Sequence, residues 1–87
     1  MKEHTELVGY IVSAITGDKD CFSIRDSIDE KGVLIELGLD QEYLGRVIGR
    51  SGQTAVAIRT VLKALGHKND ARYSLKIEER KDELREA

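Results

Sequence analysis

The stretch Val47-Ile48-Gly49-Arg50-Ser51-Gly52 sets two glycines three residues apart, behind an apolar pair and ahead of a helical pattern over Gln53 to Leu65. Glycine lets a backbone take positive φ or come close to a ligand. The first amides of a helix lack intrahelical partners and carry the positive end of the helix dipole. A glycine-containing turn that runs into a helix start is therefore a cradle for phosphate. Cations surround it in sequence. From Tyr43 to Asn69 the chain carries Arg46, Arg50, Arg59, Lys63 and Lys68 and no Asp or Glu. The net charge is −2, so the rest of the chain is strongly acidic. For phosphate binding the local field matters more than the total. A helix surface that merely lacks acids is the plainer reading of the same residues.

Other chemistries fit less well. Gly45-x-x-x-Gly49-Arg50-Ser51 is one residue short of a P-loop between its glycines, has Arg50 where lysine is required, and follows a helix pattern. A dinucleotide fingerprint would need glycine at Val47. His4 and His67 sit among polar residues and read as exposed surface. Cys21 has no partner at metal-ligand spacing and reads as a small buried residue at a strand start. Ser13, Ser23, Ser51 and Ser74 have no evident base beside them in sequence. We expect no catalytic set, no metal and no cofactor. Tyr43 to Leu65 can also be drawn as a helix-turn-helix DNA binder, an arrangement that the flanking strands disfavour.

The elements that must position the turn follow from periodicity. Thr5 is a candidate cap for a first helix with Leu7, Ile11, Ala14 and Ile15 on one stripe, ended by Gly17. Phe22, Ile24 and Ile28 alternate as a strand, with Asp26 awkwardly inward. Asp29 to Gly32 reads as a hairpin turn, and Val33, Ile35, Leu37 and Leu39 as a strand with one buried face. Asp40 caps a short helix carrying Tyr43, Leu44, Val47 and Ile48. After the turn, Ala55, Ile58, Leu62 and Leu65 form a helical stripe, closed by Gly66 as C-cap with a loop over His67 to Asp70. Tyr73, Leu75 and Ile77 alternate as a last strand. Residues 1–78 form the domain, and 79–87 read as a charged C-terminal tail. The order is α-β-β-α-α-β, three helices on one face of a three-stranded sheet.

Eighty-seven residues make one domain with a modest core. The longest nearly apolar stretch, Val8 to Ile15, is far too short to cross a bilayer. The N-terminus leads into no signal-type apolar block, and one cysteine rules out an internal disulfide, so the expectation is a cytoplasmic protein with no membrane insertion.

Leu44 to Gly52, followed by Thr54, Ala55, Ala57, Ile58, Arg59 and Thr60, resembles the small bacterial single-KH proteins of the KhpA type. Leu7 to Val12 and Leu75 to Glu78 fit too, so the likeness spans nearly the whole chain. It implies an α+β fold, a single KH domain of type II-like order, whose GxxG loop clamps the backbone of single-stranded RNA. It further implies an RNA chaperone or post-transcriptional regulator. As partners it implies a second copy of the chain, or a larger KH-containing protein of the Jag/EloR type in control of cell shape and envelope growth. The expected RNA-binding residues are Arg46, Val47, Ile48, Gly49, Arg50, Ser51, Gly52, Gln53, Arg59 and Lys63. Amides around Gly52 and Gln53 would meet phosphate, and bases would lie between the two central helices and the Val33–Leu39 strand, on a floor of Leu44, Val47, Ile48, Ile35 and Leu37. Two departures stand out: Gln53 replaces the usual basic residue, which removes one phosphate contact, and Gly17 to Asp20 lacks the usual proline. The contrasting reading is a protein-interaction module with Val56 and Val61 at its interface and RNA binding secondary.

Overall fold

The structure, a computed structural model, describes residues 2–80. Its elements are α1 (Glu3–Thr16), β1 (Phe22–Asp29), β2 (Gly32–Leu39), α2 (Gln41–Ile48), a single tight turn over Arg50–Gly52, α3 (Gln53–Asn69) and β3 (Tyr73–Glu79). The expected α-β-β-α-α-β order holds. β1 and β2 form an antiparallel hairpin registered from Phe22 against Leu39 to Asp29 against Gly32. β2 then pairs in parallel with β3, from Val33 against Tyr73 to Leu39 against Glu79. β2 is therefore the central strand, and β1 and β3 are the edges.

The core follows from β2. Period-two alternation turns Ile35, Leu37 and Leu39 toward the helices, where each is fully buried. Val8 and Val12 of α1, Val47 of α2, and Ile58 and Leu62 of α3 close over them. The hairpin turn is held by the Lys31 amide donating to Asp29 Oδ1 at 2.8 Å, with Gly32 at φ 132°.

The first helix is rotated from its expected setting. His4, Val8, Val12 and Thr16 are its buried stripe, while Leu7, Ile11 and Ile15 are half-buried and Ala14 is exposed. One residue of register turns a helix face by about 100°. The inward, half-buried Asp26 supplies the reason, because a carboxylate turned out of water needs a partner. His4 Nε2 lies 2.6 Å from Asp26 Oδ2, so His4 is enclosed at 8% exposure instead of lying on the surface. Thr5 is not the cap; Lys2 holds that position, and the Thr5 hydroxyl donates to the Lys2 carbonyl.

At the other end of α3, Gly66 is not a terminus. The helix runs on to Asn69 and stops at Asp70, which takes the left-handed conformation. Gly66 is needed for packing: a Cβ there would lie 2.5 Å from the Ala71 carbonyl oxygen, and the Ala71 amide donates back to Gly66 O. β3 extends one residue past the expected boundary at 78. Arg80 continues the fold, since its guanidinium reaches Asp40 Oδ1 at 2.9 Å and the Asp20 carbonyl. The rest of the expected tail, 81–87, lies outside the described residues.

Candidate nucleic-acid interface

The glycine turn lies between α2 and α3, and its two glycines do different work. Gly49 has φ 81°, and a Cβ on it would collide with Thr54 Oγ1. Gly52 has φ 76° and nothing within 4 Å of where its Cβ would stand. Ser51 between them is also left-handed, at φ 56°. Gly49 thus lets the turn pack onto α3, and Gly52 leaves an open approach from outside.

The turn is closed by its own amides. Gly49 N–H donates to Gly45 O at 2.8 Å, Gly52 N–H to Gly49 O at 3.1 Å, and Gln53 N–H to Arg50 O. The expectation that Gly52 and Gln53 amides face phosphate is corrected on this point, because both are spent inside the turn. The amides of Thr54 and Ala55 remain as the first-turn groups of α3 without an intrahelical partner. Among the described residues no side chain caps that helix, and no acid lies in its first turn. Arg50 and Ser51 are exposed on the turn.

Beyond the turn, α3 and the start of β3 form the two walls of a groove of about 670 Å³. Val56, Arg59, Lys63 and His67 line it from the helix, Tyr73 from the strand, and Arg72 from the residue just before it. None of its lining residues is acidic. A second groove of about 710 Å³ between α1 and β1 is more apolar, but it carries Glu6 and Asp26 and includes no residue of α2 or α3.

The expected floor is corrected accordingly. β2 is the central strand, so it has no edge to offer a base. Ile35, Leu37 and Val47 are fully buried and cannot touch a ligand; Leu44 and Ile48 are half-buried. The strand that faces the groove is β3.

Several cations are tied. Arg59 Nε and Nη2 both donate to the Leu75 carbonyl, at 3.3 and 3.1 Å, which satisfies an outward group of the β3 edge. Arg46 lies over the Tyr43 ring, 5.6 Å from its centroid. Lys68 is bound by Glu3 Oε2 at 2.6 Å, which removes it from the basic face; Lys68 and then Asn69 hold the Glu3 carboxyl below its ordinary range. Arg50 and Lys63 make no ion pair with any described residue. Gln53 is exposed at the start of α3.

The sequence reading missed His67, Arg72 and Tyr73. A polar stripe at Arg59, Lys63 and His67 was visible at helical spacing, but it required extending the helix past Gly66. The sequence places Val56 and Val61 at one interface. Five residues of α-helix separate them by about 140°. Val56 accordingly lines the groove, while Val61 is absent from its lining and is 44% exposed. Among the described residues no cluster of metal-ligating side chains is present, and no helix is long and apolar enough to cross a membrane.

Comparison with known proteins matches this arrangement to a family. The family model described as KhpA/KhpB, KH domain, fits residues 5–77. The RNA-binding protein KhpA of Aquifex aeolicus is 38% identical over 72 residues, 83% of this chain and 91% of that protein. The RNA-binding protein KhpA of Borreliella burgdorferi is 36% identical over 80 residues, 88% of this chain and 98% of that protein. The protein of the same name from Treponema pallidum is 35% identical over 72 residues, 83% of this chain and 90% of that protein. No solved structure matches. By the family match and these relatives, the chain belongs to the KhpA/KhpB KH-domain family.

Proposed function

We propose that this chain binds single-stranded RNA, with the Gly49-Arg50-Ser51-Gly52 turn against the phosphates and the bases along the α3–β3 groove. The observation that carries the reading is the turn. It presents an open Gly52, an exposed Arg50 and the uncapped start of a 17-residue helix with no acid in its first turn. The relatives' names, RNA-binding protein KhpA, support it. In this reading Arg50 supplies charge and Ser51 a hydroxyl, and Lys63, with the free part of Arg59, continues the cationic track. Arg46 flanks the turn from α2. Val47 and Ile48 hold the turn from beneath, and Gln53 adds a neutral contact. One tyrosine at the groove is a sparse stacking supply, so sequence preference is loose.

The family likeness extends the proposal. The chain then acts in the cytoplasm as an RNA chaperone or post-transcriptional regulator, paired with a second copy or a larger KH-containing protein of the Jag/EloR type, in control of cell shape and envelope growth. The second reading, an interaction module, is favoured by one feature. Ala57, Val61 and Ala64 lie on an exposed face of α3 away from the groove.

The test is anisotropy of a labelled, pooled single-stranded RNA at two salt concentrations. Wild type is compared with Gly52→Asn and Gly52→Asp. Both residues tolerate the left-handed conformation, so the pair isolates one charge. Salt-sensitive binding should survive in Gly52→Asn and fall roughly tenfold or more in Gly52→Asp, the scale of a lost charge-assisted contact. Equal binding by all three variants would sink the clamp, and absence of binding by wild type would leave the interaction module as the function.

A further inference from the structure

The two edges of the sheet differ. On β3, Arg59 closes the Leu75 carbonyl, and Lys76 stands on the strand. β1 has no such guard among the described residues, and it pairs there only with β2. Phe22 to Asp29 contain no proline and no lysine, and they stay in unbroken register with β2. The one inward charge, Asp26, is matched by His4 and Lys2. The Asp40 amide donates to the Cys21 carbonyl at 2.9 Å, which makes the odd-numbered positions of β1 the ones bonded to β2. The amides and carbonyls of Phe22, Ile24, Asp26 and Ile28 therefore point outward, a row of donors and acceptors that an extended strand fits. Ile28, whose side chain lies on the helix side of that row, is 72% exposed.

Charge and space name the strand that fits. When two β1 strands pair antiparallel about a two-fold axis, the position of the axis decides which residues meet. An axis at Arg25 or at Asp26 sets that residue against its own copy, and like charges directly opposed destabilise a sheet. An axis at Ile28 sets Asp26 against Glu30. An axis at Ile24 or earlier crowds the two α1 helices together, because Gly9 lies against Phe22 and Ile24. Paired strands are about 4.8 Å apart, whereas packed helices stand about 8–10 Å apart. An axis at Ser27 avoids both faults. It lies beyond the start of α1, where Lys2 and His4 reach Asp26. It sets Arg25 of each copy against Asp29 of the other, two pairs of opposite charge. Arg25 is held only loosely in its own copy, by Glu36 at 3.7 Å. The same axis sets Ile28 against Asp26 and diagonal to Ile24 of the other copy, at the mouth of the α1–β1 groove that both of those residues line.

We propose that β1 is a self-pairing edge: two copies of this chain join antiparallel through Arg25 to Asp29, about an axis at Ser27, so that the three strands of each form one continuous sheet. The proposal rests on the self-pairing part of the proposed function and is independent of RNA binding and of the exposed face of α3. So short a contact belongs with transient interfaces.

The test is run in a Val61→Asp background, which removes the exposed α3 face as a contact. Ser27→Cys and Ser23→Cys are compared under oxidised glutathione; the native Cys21 is buried. In the proposed pairing the substituted positions at 27 face each other with about 4.5 Å between Cα atoms, within disulfide range. Those at 23 lie more than about 20 Å apart. Ser27→Cys should therefore cross-link into dimers roughly tenfold faster or more. Arg25→Asp and Asp29→Lys are then made singly, and sedimentation velocity is read on each and on their equal mixture, with circular dichroism to confirm folding. Each alone opposes like charges twice and should dimerise about five- to thirtyfold more weakly than the parent. In the mixture every pair is again opposite in charge, and association should return. Asp29 also holds the Lys31 amide, so if Asp29→Lys does not fold, the cross-linking comparison and Arg25→Asp decide. RNA anisotropy of Arg25→Asp should match the parent, which reads loss of pairing apart from loss of RNA binding. Cross-linking no faster at 27 than at 23, or a folded mixture that associates no better than its components, overturns the proposal.

Discussion

At the scale of single residues, Gly49 and Gly52 share a type and a positive φ but differ in what surrounds them. Gly49 is closed off by Thr54, whereas Gly52 faces open space. Gly49→Ala should therefore cost about 1–3 kcal/mol in urea unfolding, through strain and collision together. Gly52→Asn should cost no more than about 1 kcal/mol, because only the backbone preference changes. Equal losses at the two sites would contradict this division of labour. Asp26 makes a second residue-scale prediction. Its folded pKa is lowered by His4 and then by Lys2, and that of Glu3 is lowered by Lys68 and then Asn69. A carboxylate with a depressed folded pKa stabilises above its unfolded value and loses that contribution as pH falls. Stability should therefore drop as pH falls below the ordinary carboxylate range and through the lowered folded values, and Asp26→Asn should flatten part of the drop. Chemical denaturation at a series of pH values reads this directly.

At the scale of elements, α3 has three faces with separate duties. Ala55, Ile58, Leu62 and Gly66 are buried; Val56, Arg59, Lys63 and His67 line the groove; Ala57, Val61 and Ala64 are exposed away from it. Substitutions on the last two faces should then separate two properties. Lys63→Gln should lower the salt dependence of RNA binding by about 0.7 in the logarithmic slope, the value for one phosphate on a single strand. Its effect on solution mass should be nil. Val61→Asp should do the reverse, reducing any concentration-dependent mass in analytical ultracentrifugation while leaving RNA affinity in place. A variant that moved both readouts together would show that the faces are not independent.

At the scale of the whole molecule, one central strand carries most of the enclosure. Ile35, Leu37 and Leu39 are all fully buried, and among the described residues both edge strands pair only with β2. A chain of 87 residues has little stability in reserve. Leu37→Ala should cost about 3 kcal/mol, a large part of the total, and should lower the thermal midpoint by well over 10 °C for a domain of this size. Differential scanning calorimetry would show this, and a shift of only a few degrees would mean that the core is shared more evenly than burial suggests. Charge is also arranged globally. Glu3 from α1 neutralises Lys68 at the far end of the basic segment, so the cationic track ends short of that residue.

Local rules were enough for the element order, the buried face of β2, the hairpin and the glycine turn, because each rests on short-range periodicity or on a backbone conformation that glycine favours. The same reasoning identified Arg50 and Lys63 as exposed cations near the turn. It could not orient α1, whose apolar residues offered two adjacent stripes; the half-buried Asp26 of β1 pairs with His4, so the His4 stripe faces inward. Nor could it find the β3 wall of the groove, since Arg72 and Tyr73 meet Arg59 and Lys63 only after β3 pairs in parallel with β2. The fate of the amides in the turn was likewise hidden, because Gly52 and Gln53 donate to carbonyls that only the folded turn brings within reach. Spacing along a chain reports which face a residue occupies; which element opposes that face is a long-range contact, and only the tertiary structure decides it.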